Sequence, residues 1–99
     1  VKSCTLVDEG VARFPDAVTS RGLKHLKELQ EQVKLGHRAA MFFLVQRTDA
    51  TSFAPADHID SAYGLELRHA YRNGVEILCY DVQVSPERMI LNRPVPLNF

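Results

Sequence analysis

The run Ala39-Ala40-Met41-Phe42-Phe43-Leu44-Val45 is apolar at every position and stops at Gln46-Arg47. A strand sends alternate side chains to opposite faces, so a run with no polar member has nothing to offer water on either side. This predicts a strand over residues 39–45 in the interior of an α/β sheet, with helices covering both faces. Gln46 sits where such a strand leaves the sheet. It either simply ends the strand or stands on the rim where open α/β sheets bind ligands.

The flanking sequence supplies the covering helices. Leu23, Leu26, Leu29 and Val33 recur at helical spacing between Ser20 and Leu35, and Gly36 stops the pattern. Thr19 or Ser20 can cap that helix, because Pro15 and Asp16 end any extended run before it. A second helix is predicted from Ser61 to Asn73, capped by Asp60 and closed by Gly74, with Tyr63, Leu67, Ala70 and Tyr71 as its buried stripe. The segment 48–59 reads as a loop pinned by Phe53 and Pro55. Val1 to Val7 and Val75 to Val84 read as strands, the latter growing into an exposed hairpin that turns at Ser85–Arg88 and returns over Met89–Leu91. The predicted fold class is therefore α/β: three main strands alternating with two helices (β-α-β-α-β), plus a C-terminal β-hairpin, with right-handed crossovers.

Charge narrows the function. Lys plus Arg and Asp plus Glu number 12 each, so the 99-residue chain has a formal net charge of zero. Affinity for nucleic acid must then come from a local patch. The first turn of the first helix is the place for one: Arg21, Lys24 and His25 stand beside unpaired N–H donors, and a helix N-terminus already attracts anions. Arg21 and His25, four apart, share a face. The same residues also describe an ordinary capped helix with a charged face. Lys2, on the face that carries Cys4 and Leu6, reads by itself as a solvated strand end.

Several classes find no support. There is no Gly-rich phosphate loop, no G-x-S-x-G and no H-E-x-x-H, and His25, His37, His58 and His69 fall at no metal-ligand spacing. Asp57-His58-Ile59-Asp60 is explained by the cap of the second helix. Cys4 and Cys79 form no C-x-x-C and are expected as reduced core thiols of a cytoplasmic protein. No run approaches the ~18 apolar residues of a membrane span. The chain opens at Val1, without Met and inside a strand, which predicts a fragment whose partner strands lie upstream. An unpaired sheet edge would follow, and with it homodimerisation.

Larger blocks carry a resemblance. Val1-Lys2-Ser3-Cys4-Thr5-Leu6, the stretch from Phe14 to Leu26 (Phe-Pro-Asp-Ala-Val-Thr-Ser-Arg-Gly-Leu-Lys-His-Leu), Phe53-Ala54-Pro55-Ala56-Asp57-His58-Ile59-Asp60 and Gly74-Val75-Glu76-Ile77-Leu78 together resemble the sugar fermentation stimulation protein A (SfsA) family, essentially end to end. The resemblance implies that residues 1–99 are the C-terminal part of a nuclease-like domain of the PD-(D/E)-x-K restriction-endonuclease class, with an N-terminal OB-like domain outside the chain. It implies a bacterial protein acting on DNA or RNA. The activity is either a Mg²⁺-dependent phosphodiesterase or a non-enzymatic DNA-binding regulator of sugar (maltose) metabolism. Lys2 would be the lysine of the (D/E)-x-K motif, its acidic partner lying just before Val1. Arg21, Lys24 and His25 would bind substrate phosphates, and Asp16, Thr19 and Gln46 would shape the rim or support the site. The metal carboxylates would lie upstream, so the fragment alone is expected to bind no metal and to be inactive. In such sites two carboxylates hold Mg²⁺, and a lysine on the same strand face steadies the developing phosphorane charge.

Overall fold

The computed structural model describes residues 1–99 apart from the Val84 side chain. Along the chain run β1 (Lys2–Cys4), β2 (Leu6–Asp8), β3 (Val11–Phe14), α1 (Ser20–Lys34), β4 (Ala40–Val45), β5 (Ser52–Pro55), α2 (Ser61–Arg72), β6 (Glu76–Val84) and β7 (Met89–Pro94). The main sheet has the order β1-β4-β6-β7, with β1, β4 and β6 parallel and β7 returning antiparallel. The predicted β-α-β-α-β skeleton and its hairpin are thus present. Among the described residues no helix is long and apolar enough to cross a membrane.

The cover of the sheet differs from the expectation. Strands β1, β4 and β6 are added in one direction, so right-handed crossovers put both helices on the same face. Leu26 of α1 and Tyr63, Leu67 and Ala70 of α2 join one buried cluster with Met41, Phe43 and Val45 of β4 and Ile77 and Cys79 of β6. The alternate residues point away from the helices: Phe42 pairs in register with Leu78, and Leu44 with Tyr80. Among the described residues no helix covers that side. Phe42 stacks on Tyr80 with ring centroids 5.5 Å apart, and Leu78 and Leu91 remain 40% and 54% exposed. With Val1, Leu44, Val82 and Met89, Phe42 and Leu91 line an apolar depression of about 290 Å³.

Val1–Val7 is not one strand. Cys4 ends β1 in the main sheet, and Leu6 begins β2 in a second sheet of order β2-β3-β5. The chain turns between them, and the Cys4 thiol, buried under the turn, donates to the carbonyl of Arg13 at 3.0 Å. Glu9 and Gly10, with φ of 49° and 80°, link β2 to β3, the pair of positive φ values that a two-residue hairpin requires. Residues 52–55, predicted as loop, are a strand because β3 pairs with them in parallel. No local signal announces a partner 41 residues away in sequence. Burial raises the thiol pKa of Cys4 to about 11 and of Cys79 to about 12, and neither forms a disulfide.

The hairpin is longer than predicted and not exposed at its root. Asp81, within the segment expected to grow into an exposed hairpin, is 0% exposed. Its carboxylate accepts from the backbone N–H of Arg93 at 3.0 Å and from its Nε at 2.6 Å, and that guanidinium also donates to the carbonyls of Thr48 and Ala50. Burial alone would raise the Asp81 pKa, but the Arg93 contacts outweigh it and hold the group below its ordinary value. Tyr71, assigned to the buried stripe of α2, is half exposed and pairs edge-on with Phe99. Gln30 takes a buried place between the helices instead. It donates to Glu66 at 2.7 Å and accepts from Asn73 at 2.9 Å.

Candidate functional site

The first turn of α1 is held before its charges are considered. Thr19 caps the helix, its hydroxyl accepting from Gly22 N–H at 3.0 Å, and no acidic residue stands in that turn. The first N–H groups of a helix have no intrahelical acceptor, so this end carries partial positive charge. On β1, Lys2 shares the helix-covered face with Cys4, opposite Phe43 of β4. Strand β1 is the edge of the main sheet, so this lysine ends beside α1 rather than beneath it.

Lys2, Arg21, Lys24, His25 and Glu28 together line a recess of about 340 Å³. Three full cations face one carboxylate there, and the helix dipole adds to the positive potential. None of the ion pairs among the described residues engages Lys2, Arg21 or Lys24. Their charges are available to an external anion. Arg presents a planar fork that can take two oxygens of a phosphate, whereas Lys is a point donor on a flexible stem. Such a set of donors can hold an anion such as a phosphate.

The other residues singled out in the sequence stand elsewhere. Asp16 is exposed on the turn between β3 and α1. Thr19 acts on the helix backbone, as its cap. Gln46 lies on the opposite face of the sheet, where its side chain donates to the Ser3 hydroxyl at 3.1 Å. There it lines a separate, wider recess of about 610 Å³ with Arg47, Thr48, Gln83 and Arg88 among others. Glu28, which sequence reasoning did not single out, is the carboxylate of the Lys2 recess. Its position four residues after Lys24 and seven after Arg21 puts it on their helical face, so the signal was present.

Among the described residues no group of three or more His, Cys, Asp or Glu side chains comes together as a ligand set, and the recess gathers cations that would repel a divalent metal.

Comparison with known proteins agrees with this architecture. The family model described as the sugar fermentation stimulation protein RE domain matches residues 1–88. Sugar fermentation stimulation protein homologs of Geotalea daltonii and Acidithiobacillus ferrooxidans are each 56% identical, over 98% and 100% of this chain. The structure of Pyrococcus furiosus SfsA in complex with Ca²⁺ superposes with a TM-score of 0.90 at 26% identity, over 98% of this chain. This chain spans only 42–43% of the length of these proteins. By its matched residues and its fold, the chain belongs to the sugar fermentation stimulation protein family.

Proposed function

We propose that this chain supplies the phosphate-binding half of a metal-dependent nuclease site acting on DNA or RNA. The observation that carries the reading is the meeting of Lys2, on an edge strand, with Arg21, Lys24 and His25 across one recess, the three permanent cations unpaired. In this reading Arg21 and Lys24 grip non-bridging oxygens of the backbone, and His25 adds a donor at the same wall. Lys2 Nζ donates to the phosphoryl oxygen that gains charge as the phosphodiester is attacked, a contact that strengthens in the transition state.

In this reading the oxygen ligands of a divalent ion such as Mg²⁺ come from the remainder of the full-length protein. An acidic residue immediately before Val1 would share the strand face of Lys2. The P. furiosus relative was solved with Ca²⁺, an ion that takes carboxylate and carbonyl oxygens, which supports a metal site within such proteins. In the same reading the 99-residue chain alone is inactive. In the PD-(D/E)-x-K description, β1 is the strand of the (D/E)-x-K motif and α1 the helix that faces it.

The test is Lys2→Ala in the full-length protein. Cleavage of DNA or RNA with Mg²⁺ is expected to fall by about 10²–10³, with nucleic-acid affinity changed little. If the unaltered protein binds DNA with steep salt dependence yet never cleaves DNA or RNA under any divalent ion, the nuclease reading fails and a DNA-binding regulator on the same recess replaces it.

A further inference from the structure

The stretch Phe53–Asp60 stands out in the sequence yet contributes nothing to the recess. Its last residue explains why it belongs with the site. Asp60 is buried and caps α2: one carboxylate oxygen accepts from Tyr63 N–H at 3.1 Å. The other oxygen accepts from the backbone N–H of Thr19 at 2.9 Å. Thr19 is itself the cap of α1. One carboxylate thus ties the starts of both helices.

A second contact acts between the same two turns. Tyr63, fully buried one turn into α2, lies so close to Gly22 that a Cβ there would meet its ring at 3.1 Å and the Thr19 methyl at 2.8 Å. An added methyl would crowd this approach, so that the Thr19 side chain or the Tyr63 ring would have to give way by a few tenths of an ångström. Phe14 closes the other side of the Tyr63 ring, with centroids 5.5 Å apart.

We infer that Asp60, with Tyr63 against Gly22, positions the first turn of α1 so that Arg21, Lys24 and His25 face Lys2. Asp60 is a positioning residue, since it touches neither the recess nor its ligand. The inference rests on the phosphate-binding reading of the recess and adds what holds it in register. A helix start free to shift would spread the cations over several placements, and a phosphate would meet the right one only part of the time.

Asp60→Asn is the discriminating variant, because Asn caps a helix about as well as Asp but its amide nitrogen cannot accept from a second N–H. In the full-length protein this substitution is expected to weaken binding of a labelled DNA duplex or RNA strand by roughly three- to tenfold, the value of one lost hydrogen bond. The Thr19 amide should exchange faster with solvent, a local signature that a general loss of stability would not confine to this residue. Gly22→Ala, acting from the other side, should weaken binding in the same direction. Asp57→Asn is the control: it breaks the Asp57–Arg68 ion pair beside α2 without touching α1, and should lower the melting temperature while leaving affinity intact. The inference is overturned if Asp60→Asn binds like the unaltered protein, if Thr19 exchange is unchanged, or if Asp57→Asn weakens binding equally. Should Asp60→Asn speed Thr19 exchange while Arg21→Ala leaves nucleic-acid binding untouched, the tie exists but the reading of the recess is wrong, and the positioning role falls with it.

Discussion

The two faces of the main sheet are built from equally apolar sequence and meet different fates. On one, Met41, Phe43, Val45, Ile77 and Cys79 are buried under two helices. On the other, Phe42, Leu44, Leu78 and Tyr80 have no helix above them, and the aromatic pair stacks on itself. Composition cannot distinguish the faces; connectivity does. Two right-handed crossovers moving in one direction across a sheet cover one face twice and the other not at all. The charged recess lies at the edge of the covered face, where a strand-borne lysine can reach a helix start.

The largest expected difference between the faces is in packing. Phe43→Ala should cost about 3–5 kcal/mol of unfolding free energy by leaving a cavity among rings and aliphatic chains. Phe42→Ala, on the bare face, should cost about 1 kcal/mol. Equal losses in denaturant titrations would show that the bare face is covered in solution. Next is the Asp81–Arg93 pair at the root of the hairpin, where Asp81→Asn should cost about 2 kcal/mol, less than a fully buried pair because Arg93 is half exposed. The pKa of Asp81 is lowered in the folded chain, so its stabilisation is full above the ordinary carboxylate value. It is lost as pH falls through the lower, folded value. Acid titration of melting should therefore show a loss below about pH 4 that is smaller in the Asn variant. The smallest effect on stability belongs to Leu78→Lys with Leu91→Lys, within about 0.5 kcal/mol. If the isolated chain associates through this patch, that pair should nevertheless reduce its concentration-dependent association in sedimentation. Undiminished association would move the contact to a strand edge.

Much of this architecture was legible because its signals are local. The stripe Leu23, Leu26, Leu29 and Val33 and the caps Thr19 and Asp60 lie within a few residues of what they organise, and both helices begin where those caps put them. The short strands were not legible. Val11–Phe14 and Ser52–Pro55 hold each other across the fold, and each is too brief to carry a pattern. The burial of Asp81 was not legible either, because its partner, Arg93, sits beyond a turn and a bulged register. Of the site, the cations on α1 followed from helical spacing, whereas the meeting of Lys2 with them depends on β1 being the sheet edge. The place of Gln46 on the opposite face follows from strand parity, which its role as a strand end had concealed.

The central claim is that Lys2 and the start of α1 act as a unit on one phosphodiester. A double-mutant cycle on cleavage by the full-length protein, with Lys2→Ala, Arg21→Ala and both together, addresses it directly. Groups that serve one transition state are non-additive, so the double variant should lose little beyond Lys2→Ala alone. Losses that simply multiply would place the two residues on separate events and contradict the account.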